Sequence, residues 1–322
     1  MIAKKAIMLF LGIVFLYGKT VGFHIQEITP VLRIGMDAVN ENEIIGVITD
    51  ITIFSNRIYV LDNKFSRIQQ YDMSGKYLGS IGKRGEGPGE FGTDLKSIVA
   101  DEEGNLIIGG MRKIYIFEKN GEYIHSFHVN FQMNDLCVDR EGNILVLGYY
   151  KDKIIHAYNQ EGHYLFSFGE PFEASSEFRK YKHHPVVKVP LKIFCTKSNR
   201  VCLINPYQYE IHIYQNHQLD RKIKHRSDFF KTAWLMERQS GFIIMSMGYA
   251  IFENNDELYV SLFEKEKTEL NIYRNHELIS SLIIDGRPMT MCPEGYIYSI
   301  DNSETPHIVK SVIKLTSHDH HP

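Results

Sequence analysis

The chain has 322 residues, 43% of them hydrophobic and 23% charged, with a formal net charge of −3. That balance excludes an intrinsically disordered chain. With no basic stripe, it also argues against nucleic acid or an anionic membrane surface as a partner.

Lys4 and Lys5 precede an apolar run from Ala6 to Tyr17, which ends at the polar Gly18-Lys19-Thr20. A charged start and an apolar run too short to span a bilayer read as a signal peptide over residues 1–22. Its loss removes lysines and no acids, leaving a more acidic mature chain. That mature chain is expected to be exported, periplasmic or extracellular, and to carry no transmembrane segment. No cysteine precedes Cys137, which excludes lipid anchoring at a cysteine beside the signal.

IQEITPVLRI (25–34) is the first β-segment, and it has no nearby partner. Pro30 restricts it to an outer edge, where a missing N–H breaks no ladder bond. Downstream, a polar turn before an apolar strand recurs six times: FSNRIYV (54–60), DEEGNLII (101–108), DREGNILV (139–146), KSNRVCLI (197–204), ENNDELYV (253–260) and CPEGYIYS (292–299). Asn56, Gly104, Gly142, Asn199, Asn255 and Gly295 mark these turns, where tight hairpins need positive φ. A second phrase recurs as YDMSGKYLGSIG (71–82), FEKNGEYIHSFH (117–128) and YNQEGHYLFSFG (158–169), with shorter echoes at IYQNHQL (213–219) and IYRNHELI (272–279). Repeats of this size mean a solenoid or a propeller.

Six turns of the first kind predict six four-stranded units; five of the second kind leave the last unit without its outer strand. HIVKSVIKL (307–315) is followed only by a polar tail, expected to be disordered over 316–322. The orphan segment 25–34 is therefore predicted to pair there and close a ring, which removes the exposed edge. The expected fold is an all-β, six-bladed β-propeller of four-stranded antiparallel blades over residues 23–315, monomeric. LIIGG (106–110), ILVLGYY (144–150) and FIIMSM (242–247) are apolar on both faces, as inner strands between stacked blades should be. The charged QLDRKIKHR (218–226) suits an outer edge.

The stretch IYVLDNKFSRIQQYDMSGKYLGSIGKRGEGPGEF (58–91) resembles an NHL repeat, through its aliphatic-Tyr-aliphatic strand, its Asp-Asn turn, Arg-Ile-Gln before an aromatic, and the Gly-rich GEGPGEF linker. With the signal peptide, the chain is similar to the exported six-bladed propellers of Bacteroidetes-type bacteria. The resemblance implies a fold. NHL-type relatives include RNA-binding modules, protein-interaction modules and a peptide-amidating lyase, and none of their site motifs is present for residue-level transfer.

Two connections are enlarged, 170–190 and 225–240, and binding residues concentrate on loops held by rigid scaffolds. They flank the fourth unit. Arg179, Tyr181, Lys182, His183, His184, Arg226, Phe229 and Trp234 are expected to converge there with Tyr149, Tyr150, Lys151, Tyr207 and Tyr209 on one rim. Aromatics with Arg, Lys and His suit sugars or anionic ligands; alternatively Phe229, Phe230 and Trp234 only pack the loops onto the blades. A turn centred on Ser198-Asn199 would set Cys195 opposite Cys202, within disulfide reach. Cys137 and Cys292 read as core residues.

No cofactor is expected and no metal site is assigned. Asp50 and Asp135 could begin inner strands near the axis, but two carboxylates are few for calcium. No Cys-x-x-Cys, nucleophile elbow or His-Glu-x-x-His occurs. The function expected is an extracytoplasmic ligand-binding or protein-interaction module for glycans or peptides. The alternative is a lyase or hydrolase, sited in the axial funnel or on the 170–190 and 225–240 face, with His183 or His184 as acid/base and Arg226 or Lys182 steadying negative charge.

Overall fold

A computed structural model describes residues 26–173, 189–238, 241–245, 248–264, 267–302 and 305–315. The signal-peptide and tail readings lie outside those residues. Six four-stranded antiparallel sheets form the ring of a β-propeller. Counting from the axis outward, blade 1 is Ile48–Phe54, Arg57–Asp62, Arg67–Asp72 and Tyr77–Ile81. Blades 2 to 5 repeat this order, beginning at inner strands Ser97–Ala100, Met133–Val138, Ile193–Cys195 and Gly248–Asn254. No helix among the described residues is long and apolar enough to cross a membrane.

The last blade is closed as the count of turns requires. Arg287–Met291, Tyr296–Asp301 and His307–Leu315 are followed outward by Gln26–Ile34. Ile28 faces Ile313 and Ile34 faces Ile308, with a bulge between Pro30 and Leu32 that leaves Val31 unpaired. Pro30 therefore sits on the ring's outer edge, where its missing donor is harmless.

All six turn markers have positive φ, from 49° at Asn255 to 92° at Gly104. Gly104 and Gly142 occupy the same turn in neighbouring blades with different surroundings. A Cβ on Gly104 would come within 2.4 Å of the Phe54 ring, whereas one on Gly142 would meet nothing within 4 Å. Gly142→Ala should cost about 1–2 kcal/mol for the left-handed backbone alone. Gly104→Ala should lose roughly 1–3 kcal/mol more through overpacking. Equal denaturation midpoints for the two variants would refute this account.

Six hydrophobic clusters fill the six interfaces between adjacent blades. The strands Leu106–Gly109 and Ile144–Tyr150 are buried on both faces as their sequences suggest, but each is the second strand from the axis, not the first. Of the run 242–247 expected in a blade, the described part lies in Gly241–Met245, which instead pairs with Trp234–Arg238 in a separate hairpin between blades 4 and 5. An apolar run predicts a strand; it does not say which sheet takes it.

Candidate functional site

The six inner strands surround an axial cavity of about 230 Å³. Asp50 and Asp135, each third in its inner strand rather than first, line it, and so does Lys192 just before the inner strand of blade 4. The register slips at Ile48/Asp50 and Met133/Asp135, and such bulges re-aim a side chain. Each carboxylate thereby reaches the next blade: Asp50 accepts the N–H of Ile98 at 3.2 Å, and Asp135 that of Ile193 at 3.0 Å. The Lys192 ammonium lies between them, 3.4 Å from Asp50 and 3.5 Å from Asp135. Burial pushes Asp135 up to about 6 despite the nearby ammonium. Burial alone would depress Lys192, but the two carboxylates together hold it above its ordinary value.

Cys137 and Cys195 form a disulfide in the wall of this cavity, with Cα atoms 5.8 Å apart. The expected Cys195–Cys202 pairing is thus corrected. Cys195 lies opposite Val201, and Phe194 opposite Cys202, because the turn encloses three residues between Thr196 and Arg200. One added residue sends the two cysteines to opposite faces of the sheet. Cys195 then packs toward blade 3, while Cys202 stays a free thiol in the core between blades 4 and 5.

On the face where outer strands hand over to the next blade, a groove of about 610 Å³ separates blades 3 and 4. Lys153 and Phe168 of blade 3 and Phe172 from the first enlarged connection line it, with His212, Tyr214 and Lys222 of blade 4 among the opposing groups. Glu210, nearly inaccessible, anchors its polar side: His212 Nε2 is 2.5 Å away, and Lys222 and Lys224 are at 3.4 and 3.5 Å. Burial would raise Glu210, but its His212 and Lys222 partners bring it below the usual carboxylate range. Burial depresses His212, outweighing the opposing effect of Glu210, and so favours the neutral imidazole. The Phe172 ring lies 4.9 Å from it. Lys153 pairs with Glu170 on the blade 3 side of the groove.

Of the residues expected on this rim, Arg179, Tyr181, Lys182, His183 and His184 lie outside the described residues. Tyr149 and Tyr207 join the hydrophobic cluster shared by blades 3 and 4, and Tyr149 donates to Asp152 at 2.6 Å. Lys151 is exposed in the adjoining turn, its ammonium 5.2 Å above the Tyr150 ring. Arg226 is exposed beyond the outer strand of blade 4, and Trp234 opens the small hairpin. Tyr209 is core rather than rim. Its hydroxyl accepts from Asn271 and Tyr273 at 2.9 and 3.0 Å, and its ring stacks on Phe230 at 5.6 Å.

Nothing in the sequence alone distinguishes Glu210 and His212. They stand two apart on one strand and therefore share a face, which is a signal only once the strand is placed beside an open groove.

A six-bladed β-propeller with an axial ion-paired cluster and an inter-blade groove is the class these features define. The chain belongs to the family described as a domain of unknown function, DUF4934, whose model matches residues 39–310. None of the curated proteins matches this sequence. Among solved structures, it is similar to a candidate exported protein from Bacteroides fragilis, with 12% identity over 91% of this chain and 96% of that one, at a TM-score of 0.64. A DUF4221 family member from Bacteroides vulgatus is similar at 10% identity, 90% and 99% coverage and a TM-score of 0.60. Virginiamycin B lyase from Staphylococcus aureus shares 12% identity over 91% of this chain and 100% of that one, at a TM-score of 0.56. At these identities the likeness is one of fold.

Proposed function

We propose that this protein is an exported binding module whose ligand is a neutral glycan held in the groove between blades 3 and 4. The groove's volume and its lining carry this reading. Lys153 and Lys222 balance Glu170 and Glu173 there, with Asn205, His212 and Gln218 as further polar groups over an aromatic floor. A polyhydroxyl chain uses many donors and acceptors without needing net charge, and apolar walls with a few placed polar groups are what ligand clefts share. Export is supported by the candidate exported neighbour and by the N-terminal reading.

The test is calorimetric titration of the mature protein with neutral oligosaccharides, with short peptides as the competing class. Saturable binding to an oligosaccharide is expected, and His212→Ala should weaken it about tenfold, the loss of one well-placed hydrogen bond. Binding to peptides alone, or an affinity untouched by both His212→Ala and Lys222→Ala, would overturn it.

A lyase or hydrolase is the second reading, favoured by the Glu210–His212 pair. A carboxylate that holds one ring nitrogen orients the imidazole, and a neutral histidine is competent as a general base. On that reading His212→Gln abolishes product formation while the ligand still binds.

A further inference from the structure

The two Asn-His hairpins, at 216–217 and 275–276, form the same turn in adjacent blades. Both residues of each have positive φ, 49° and 64° in the first and 51° and 71° in the second. Each turn joins the third and fourth strands of its blade and presses its histidine against the preceding blade; His217 also lines the groove. The outcomes differ. His217 meets aromatic rings, 4.2 Å from Phe166 and 5.2 Å from Phe168. His276 meets two guanidinium groups: Arg200 Nη1 is 2.8 Å from its Nε2, and Arg221 Nη1 is 3.3 Å from its Nδ1.

That second arrangement has more donors than acceptors. A neutral imidazole offers one acceptor nitrogen and an imidazolium none, while guanidinium only donates. One arginine is therefore left without an acceptor at the ring. Among the described residues, neither Arg200 nor Arg221 forms an ion pair. Arg200 Nε spends one bond on Ser198 Oγ at 2.9 Å. Arg200 and His276 line a cavity of about 250 Å³ between blades 4 and 5. His276 is depressed first by desolvation and then by Arg221 and Arg200.

We infer that Arg200, Arg221 and His276 form a binding site for a singly charged oxyanion group, a sulfate ester or a carboxylate. Such a group supplies the acceptors the three side chains lack, through charge-assisted bonds that arginine favours. The limit of one charge comes from neighbouring acids. Glu253 and Asp256 line the same cavity, and Asp220 lies close enough to act on His276. Glu253 is partly engaged, accepting the N–H of Lys197 at 2.7 Å. A phosphate monoester, with about 1.5–2 negative charges at neutral pH, meets more repulsion than a sulfate ester does. This site is on the other side of blade 4 from the groove, toward blade 5, and stands whether or not the groove binds glycans.

The test follows the His276 imidazole resonance by NMR, and binding by calorimetry, during titration with glucose 6-sulfate, glucuronate and glucose 6-phosphate. Saturable movement of His276 is expected with the sulfate or the uronate, and weaker binding with the phosphate. Arg221→Gln should reduce affinity roughly tenfold or more; His163→Asn, on an exposed turn of blade 3, should leave it unchanged. Should Arg221→Gln disturb folding, His276→Asn keeps a turn-forming residue and should show the same loss. No saturable shift with any probe would overturn the site, as would binding indifferent to both substitutions. Tighter binding of the phosphate ester would overturn the single-charge assignment.

Discussion

Changing Cys137 and Cys195 together to alanine is expected to lower stability by about 4 kcal/mol, the chain-entropy value for a loop of this length. The cross-link spans 58 positions and ties the inner strands of blades 3 and 4. Those two blades also frame the groove, so the staple holds the groove's walls at their root. Competing exchange is suppressed, because Cys202 and Cys292 are buried and burial pushes the Cys202 thiol up to about 12. Denaturant unfolding of the oxidised protein against the double variant measures the effect. An unchanged midpoint would show that packing between the blades, not the cross-link, sets stability there.

Lys192→Met should cost about 3–5 kcal/mol at pH 8, because it leaves two buried carboxylates without their shared cation. The loss should shrink on acidification, since protonating one carboxylate removes the repulsion. Asp135 sets the window in the unaltered protein. Its native-state value near 6 lies above the ordinary 3.8, so the native state binds this proton more tightly than the unfolded chain. Its contribution to stability is therefore complete below about pH 4 and is lost as pH rises through about 6. Asp135→Asn should flatten that part of the profile while still accepting the Ile193 N–H. A pH profile for Lys192→Met parallel to that of the parent would sink this assignment.

The architecture was largely legible in the sequence because each turn carries its own signature. Asn56, Gly104 and their four counterparts mark where φ must be positive, and counting them counts the blades. The mismatch between six such turns and five of the other kind placed Gln26–Ile34 beside His307–Leu315. What failed did so where neighbours in space decide the outcome. One residue of loop length decides which strand residue Cys195 faces, and an apolar strand such as Gly241–Met245 need not belong to a blade. The axial position of Asp50 and Asp135 is legible in their strands, but that of Lys192 between them is not, since nothing in its own segment says which strands face it. The groove residues Glu210 and His212, and the crowded His276, share that difficulty. Their character comes from the adjoining blade, far away in sequence.

Closure by the N-terminal strand also governs how the molecule would respond to tension. Gln26 and Leu315 are register partners at one end of the last ladder, so a force drawing them apart loads the bonds one pair at a time. The ring would open there like a zipper, without the collective resistance of strands pulled lengthwise. Its weakest mechanical point is thus the seam where the chain's two ends meet, on the far side of the ring from the disulfide between blades 3 and 4.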